Sequence, residues 1–356
     1  MSSKILITGA AGYVGGSLTA NFLNGKDPSI EKDQIVAAVR SKEQVNALSK
    51  LGIPVLQLDL ADEKSVTESI LYHNVNIIIH TTSAIDPSAA LHLINGLGKQ
   101  GELSGRKTYF IHTSGLSAFY EGTGWPAGEF KDTDAVFETE RQLASSFPIR
   151  NTDVSVIEHA AKQGVTSFVV VPSMVYGKGT GEWNKLSVVL PIYVQASISN
   201  KTVYKFSENT KVSAVHISDL AALYGQIVKK VLQGETLPSD KEGYYFALAH
   251  VVFLGEVLDH LALALKSRDL ATDSKTQIYP NNQAAAESLG VPEKFVQTLW
   301  NSGDNIVAEV PFRIGWKPVW SKERFLENID DEIDAVLELG KARSSLIDSL
   351  FRAARD

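Results

Sequence analysis

The sequence predicts an α/β fold of the doubly wound Rossmann type, with a parallel sheet between helix layers and a smaller, interleaved C-terminal substrate domain. Three observations predict it. Short apolar runs recur, each followed by a helical pattern; the runs are continuous rather than alternating; and a glycine triplet stands directly after the first. A run that is apolar at every position suits a strand buried on both faces, as parallel strands between helices are.

The runs are "KILITGA" from Lys4, "QIVAAVR" from Gln34, "PVLQLDL" from Pro54, "NIIIHTT" from Asn76, "TYFIHTS" from Thr108 and "SFVVVPS" from Ser167. Beyond Pro172 the regularity fades. "VHISDLAALYGQIVKKVL" then restores a helix with Leu220, Leu223, Ile227 and Leu232 on one face, and "GYYFALA" with "FLGEVLDHLALALK" reads as a strand and helix returning to the core. The expected division is a dinucleotide-binding domain over 1–176 and a mainly substrate-binding domain over 177–356, with segments near 212–260 rejoining the first. From Trp320 onward, Phe325, Ile329, Ile333, Val336 and Leu337 mark an apolar helical stripe, packed on its own domain or used in a homodimer.

A hydrophobic fraction of 44% with 21% charged residues supplies a substantial core and argues against disorder. The net charge of -7, without a basic run, opposes nucleic-acid binding. Without cysteine there is no disulfide framework, zinc-thiolate site or thiol nucleophile, and a reducing, cytoplasmic setting is expected. The eight histidines show no metal-ligand spacing, so no metal is expected. No apolar run approaches the roughly 18 residues of a membrane span, and the N-terminus reads as a strand rather than a leader.

The strongest local signal is "ILITGAAGYVGGSL", where Gly9, Gly12 and Gly15 lie between a strand and a helix. Glycines there permit a tight turn and let a pyrophosphate approach backbone N–H groups at the positive helix end. Tyr13 and Val14, which open the helix, belong to the same cofactor-binding set. Arg40 ends the second strand, where an NAD-preferring site carries an acid; a guanidinium there suits a 2′-phosphate and favours NADP(H) over NAD(H).

With these residues the chain resembles an atypical extended short-chain dehydrogenase/reductase of the NAD-dependent epimerase/dehydratase type, from Lys4 to Lys317, and most nearly the fungal-type branch with altered catalytic motifs. Further motifs follow in the family's order. The resemblance implies that Asp59 and Leu60 of "LDLAD" lie against the adenine and that Thr81 and Thr82 of "IIIHTTSA" lie beside the cofactor. It places Pro172 and Val175 of "VVVPSMVYG" near the nicotinamide and Tyr176 near the substrate. "VHISDLA" and "RIGWKP" complete the match, with His216 and Asp219 read as structural.

The family's proton relay, a tyrosine and a lysine four residues apart on one helix face, is missing. In "PIRNTDVSVIEHAAKQG" Arg150 stands at the tyrosine position and Val154 at the lysine position. Arginine stays protonated at accessible pH, and valine offers neither charge nor hydrogen bond. Ser114 and Tyr176 are the candidate catalytic groups; Asp153 reads more simply as part of an N-cap cluster with Asn151 and Thr152. Val154, Ile157, Ala161 and Val165 are expected to pack inward, and the carboxylates of "DTDAVFETERQLASS" to face solvent or a dimer partner. If Arg150 faces the pocket, it suits an anionic group.

The function these readings imply is NADP(H)-dependent oxidoreduction at a carbonyl or hydroxyl of a small, largely apolar metabolite, with a non-standard proton donor. The alternatives are non-redox isomerase, cyclase or lyase chemistry in the same pocket, and an NADP(H)-sensing regulator resembling the NmrA-like proteins.

Overall fold

The computed structural model describes residues 3–25 and 29–340. The apolar runs form strands β1 (Lys4–Thr8), β2 (Ile35–Val39), β3 (Val55–Gln57), β4 (Val75–His80), β5 (Tyr109–Thr113) and β6 (Thr166–Pro172), joined by β7 (Tyr244–Ala247). They make one seven-stranded sheet in the order β3-β2-β1-β4-β5-β6-β7, parallel throughout. The order reverses between β1 and β4, which opens the crevice where ligands of doubly wound sheets bind.

Continuous apolar runs serve two faces at once. In β1, Ile5 and Ile7 enter one core cluster and Leu6 the opposite one; in β6, Phe168 and Val170 part from Val169 and Val171 in the same way. Helices α1 (Tyr13–Leu23), α2 (Ser88–Ser104), α3 (Pro148–Lys162) and α4 (Ile217–Leu232) cover these faces. On one side Leu18 and Phe22 of α1 share a cluster with Leu220, Leu223 and Ile227 of α4; on the other Leu93, Ile94 and Leu97 of α2 meet Val156 and Ala160 of α3.

A second core collects a small sheet of Met174–Tyr176, Lys211–His216 and His250–Phe253 with helices α5 (Leu254–Ser267) and α6 (Ile329–Leu339). The chain after Pro172 crosses between the two cores: α4 and β7 belong to the first, whereas α5 buries Leu254, Val257, Leu258 and Leu261 in the second. The expectation that the helix after "GYYFALA" returns to the first core is therefore corrected. Its flanking strand His250–Phe253 pairs antiparallel with Lys211–His216 and carries the helix away.

The C-terminal stripe forms Lys322–Glu327 and α6, with Phe325, Ile329, Ile333 and Val336 buried; Leu337 is 54% exposed and drops out of it. The part of that stretch from Lys341 lies outside the described residues. Among the described residues no helix is long and apolar enough to cross a membrane, and no group of acids and histidines is placed to hold a metal ion.

Candidate functional site: a glycine turn and a rebuilt helix face

The turn after β1 is built by the absence of side chains. Gly9 takes φ +71°, a conformation that L side chains rarely adopt, and its carbonyl accepts from Gly12 N–H at 2.7 Å. A Cβ on Gly15 would stand 2.4 Å from Gly9 O and 2.6 Å from Thr81 Oγ1, so β1, α1 and the end of β4 meet only because Gly15 has none. Gly12, the N-cap of α1, is different: a Cβ there would meet Gly9 O at 3.0 Å and nothing else within 4 Å. The space before the first turn is open to a close approach by phosphate. The helix cannot satisfy the N–H groups of Tyr13 and Val14 itself, and no acid in its first turn competes for them. These features fit the pyrophosphate of a dinucleotide.

The other expected cofactor residues take up distinct places. Arg40 is exposed at the end of β2, where Ser41 caps the helix that follows. Asp59 accepts Ala61 N–H at 3.0 Å in a local turn, and the Leu60 carbonyl lies 2.9 Å from His92 Nδ1. Thr81 donates to the Thr8 carbonyl at 2.8 Å and so braces the glycine turn, while Thr82 Oγ1 contacts the His80 ring. Pro172 closes β6 beside Ala247, and Val175, partly buried, pairs with Val215 in the small sheet.

The helix face where the sequence resemblance expected a proton relay holds a buried polar cluster. Pro148 at the first helical position starts α3, so Asp153 lies inside the helix rather than at its cap, fully buried. Ser114, 6% exposed at the end of β5, donates to Asp153 Oδ2 at 2.5 Å. His112 Nε2 stands 3.1 Å from Asp153 Oδ1, at ion-pair distance without hydrogen-bond alignment. His112 stacks on His80, whose pKa burial pushes down to about 3, with His112 adding to the shift, so that ring is neutral.

Glu140 completes the cluster. Expected on a solvated helix, it is wholly buried in Val136–Gln142 and accepts from the Tyr244 hydroxyl. Burial, then the charge of Asp153, holds its carboxyl well above the ordinary range. The sequence signal was present but outvoted: Val136, Phe137 and Glu140 share one face of a helix otherwise rich in polar residues.

Arg150 does not face a pocket. Its guanidinium is fully buried, donating from Nε to Ala118 O at 2.6 Å and from Nη1 to Thr123 O at 3.0 Å, between the rings of Trp125 and Phe147. An arginine at the tyrosine position thus staples the chain after β5 to α3. Val154 is buried, and Ala160 rather than Ala161 packs inward.

Tyr176 is also corrected. The small sheet draws it into the second core at 0% exposure, edge-on to Phe325, His216 and His250, with its hydroxyl unpartnered. Burial raises its pKa, which removes it further from acid catalysis. His216 and Asp219 have structural work: the His216 ring caps α4, and the Asp219 carboxylate accepts Val319 and Trp320 N–H at 3.0 Å each. The Asp219 carbonyl also accepts from the indole of Trp316 in "RIGWKP".

Two clefts flank the loop stapled by Arg150. One, about 270 Å³, lies between Phe119, Trp125 and Phe130 and the segment Ser302–Asn305; the other, about 170 Å³, lies between Trp125–Phe130 and Asp134–Val136. The chain after β5 supplies most of these walls.

A sequence model of the NmrA-like family matches residues 1–93, which carry the glycine turn. No curated protein matches the chain in sequence. Among solved structures, the chain is similar to UDP-glucose 4-epimerase from Thermotoga maritima, at 13% identity and TM-score 0.61 over 94% of this chain and 99% of that one. It is also similar to dTDP-glucose 4,6-dehydratase from Bacillus anthracis in complex with NAD, at 12% identity and TM-score 0.61 over 95% and 98%. A partial-consensus L-threonine 3-dehydrogenase gives 12% identity and TM-score 0.59 over 93% and 99%. The chain has the extended Rossmann fold of these proteins over nearly its whole length.

Proposed function

We propose that this chain is an NADP(H)-dependent oxidoreductase that acts on a carbonyl or hydroxyl of a small, largely apolar metabolite, with a proton donor other than the tyrosine-lysine pair. The observation that carries the reading is the glycine turn, closed at Gly9 and Gly15 and open at Gly12. The fold's likeness to an epimerase, a dehydrogenase and a dehydratase solved with NAD supports the same class. Exposed Arg40 favours a 2′-phosphate and hence NADP(H). A bound nicotinamide would supply or accept the hydride.

With Tyr176 in the second core, Ser114 is the group we assign to the proton. Its O–H is held by Asp153 Oδ2 from inside the protein, so Asp153 positions the serine hydroxyl.

The test is NADPH and NADH binding by calorimetry, followed by cofactor oxidation over a panel of small ketones and aldehydes. Ser114→Ala should lower kcat at least about 100-fold with dinucleotide affinity unchanged, the scale of a lost general acid. Unchanged kcat in that variant excludes Ser114. A second reading, an NADP(H) sensor without turnover, is favoured by the burial of both Arg150 and Val154. Binding that discriminates oxidised from reduced cofactor, with no turnover across the panel, selects it.

A further inference from the structure

Residues 177–187 lie against α1 immediately beside the glycine turn, in contacts that no cofactor motif requires. The loop is closed on itself by Gly179 N–H to Lys185 O at 2.8 Å. Asn184 N–H donates to Ala11 O at 3.2 Å and Thr180 N–H to Ser17 Oγ at 3.3 Å. Glu182 pairs with Lys50 at 2.6 Å. Backbone meets backbone at Gly181, where a Cβ would stand 2.8 Å from both Cα and C of Gly16.

The base of this loop is held from the second core. The two ends of one residue make the connection: Gly177 C=O accepts from the Tyr13 hydroxyl at 2.7 Å, and Gly177 N–H donates to Glu332 Oε1 on α6. Gly177 takes φ +93°, and a Cβ there would stand 2.2 Å from His216 Nε2, so the junction is confined to glycine. Lys178 adds an exposed pair with Glu338 of the same helix at 2.6 Å. The glycine turn is thus tied to the C-terminal helix through Tyr13, Gly177 and Glu332.

We propose that residues 177–187 are a strap that gates the dinucleotide site and that Glu332 is its latch, a positioning residue acting through Gly177 and Tyr13. The inference rests on the reading that the glycine turn holds a dinucleotide. A cofactor seated on the first turn of α1 leaves when the strap lifts from Gly16 and Ser17, and the strap lifts when Glu332 releases Gly177. Glu332 is 2% exposed; burial brings its carboxyl up to about 7, with Asp331 adding to the shift and the Gly177 N–H opposing it. The groups facing the latch are Tyr13 from the glycine turn, Tyr176 and His216 from the small sheet, Ser187 from the strap and Asp331 from α6, with Arg324 beyond Tyr176. Burial holds His216 down to about 4 and raises both tyrosines, so the carboxyl that changes charge near neutrality is Glu332. As the carboxylate it holds the Gly177 N–H in a charge-assisted bond, and as the acid it holds it less firmly. With Glu332 still buried when the strap lifts, loss of the Gly177 N–H raises its carboxyl further, so the open strap binds the proton more tightly and should be populated more at pH 6 than at pH 8.

The experiment has two readouts on the full chain. Amide hydrogen exchange of 177–187 in the ligand-free protein, corrected for intrinsic rates, compares wild type with Glu332→Gln at pH 6 and pH 8; stopped-flow then measures NADPH release from both. The amide keeps an acceptor for Gly177 but loses the charge, so strap opening and NADPH release at pH 8 should each rise about tenfold, and the dependence of opening on pH should vanish. Gly181→Ala, which leaves Glu332 intact and wedges the strap from Gly16, should speed release in the same way. Strap exchange indifferent to both variants overturns the latch. Faster exchange with unchanged NADPH release overturns the gate. Exchange that responds while neither NADPH nor NADH binds overturns the dinucleotide reading of the turn, and the gate with it.

Discussion

The glycine turn after β1 and the N-terminal half of α3, packed against the chain after β5, meet their surroundings in opposite ways. At the turn, three chain segments meet at distances that a single methyl would violate, and the open space at Gly12 is shaped by backbone alone. On α3 the two relay positions hold Arg150 and Val154, both buried, and Asp153 beside them is buried against Ser114. Anion binding by backbone N–H groups needs a conformation, which few residue types provide; proton transfer needs a titratable side chain, which many substitutions remove while the helix still packs. A Rossmann-type fold can therefore hold an open glycine turn where no tyrosine-lysine pair stands on the helix.

The contrast breaks most severely at Gly15. Gly15→Val places carbon 2.4 Å from Gly9 O, and the turn must open to admit it. Dinucleotide binding should fall below detection in calorimetry and stability should drop by about 3 kcal/mol in urea titration, at the upper end of overpacking costs. Retained affinity would remove the turn from the site.

Next comes Arg150→Met, which keeps much of the side-chain volume but leaves the carbonyls of Ala118 and Thr123 without their buried donors. Unfolding free energy should fall by about 2–3 kcal/mol with dinucleotide affinity unchanged. A loss of affinity instead of stability would return Arg150 to the cofactor.

A subtler effect attaches to Glu140. Its carboxyl is raised above the ordinary value of 4.5, so the folded protein holds that proton more tightly than the unfolded chain does. Its contribution to stability is then greatest below pH 4.5 and declines as pH rises toward the folded value. Glu140→Gln keeps an acceptor for Tyr244 and removes the titration, so stability measured against pH should flatten above that point. An unaltered profile would show that Glu140 is not the group responsible.

The smallest expected change is at exposed Arg40. Arg40→Ala should reduce the NADPH-to-NADH affinity ratio about tenfold while leaving folding untouched, the value of one charge-assisted contact. An unchanged ratio would leave the 2′-phosphate to another residue.

Much of the first domain was legible because its constraints are local. Ile5, Leu6 and Ile7 must all be apolar for a strand with two buried faces, and Gly9 must reach φ +71° for the turn. The altered face of α3 was only half legible. That the tyrosine and lysine were missing followed from the residues at 150 and 154; that Arg150 had become a staple did not, because its partners at Ala118 and Thr123 come from a loop roughly thirty residues away. Glu140 looked like a surface acid because its helix carries Glu138 and Arg141 on the other side.

By itself the sequence determined the parallel sheet, the glycine turn at its switch point and the absence of a tyrosine-lysine pair at 150 and 154, since each depends on residue type and spacing along a short stretch. Only the tertiary structure decided where the lone polar groups went. It sent Tyr176 into the second core, brought Asp153 to Ser114, and tied Tyr13 to Glu332 through Gly177. Those outcomes depend on how the chain crosses between two cores, and burial there sets which groups can carry charge, a property of the packed surroundings rather than of any residue read alone.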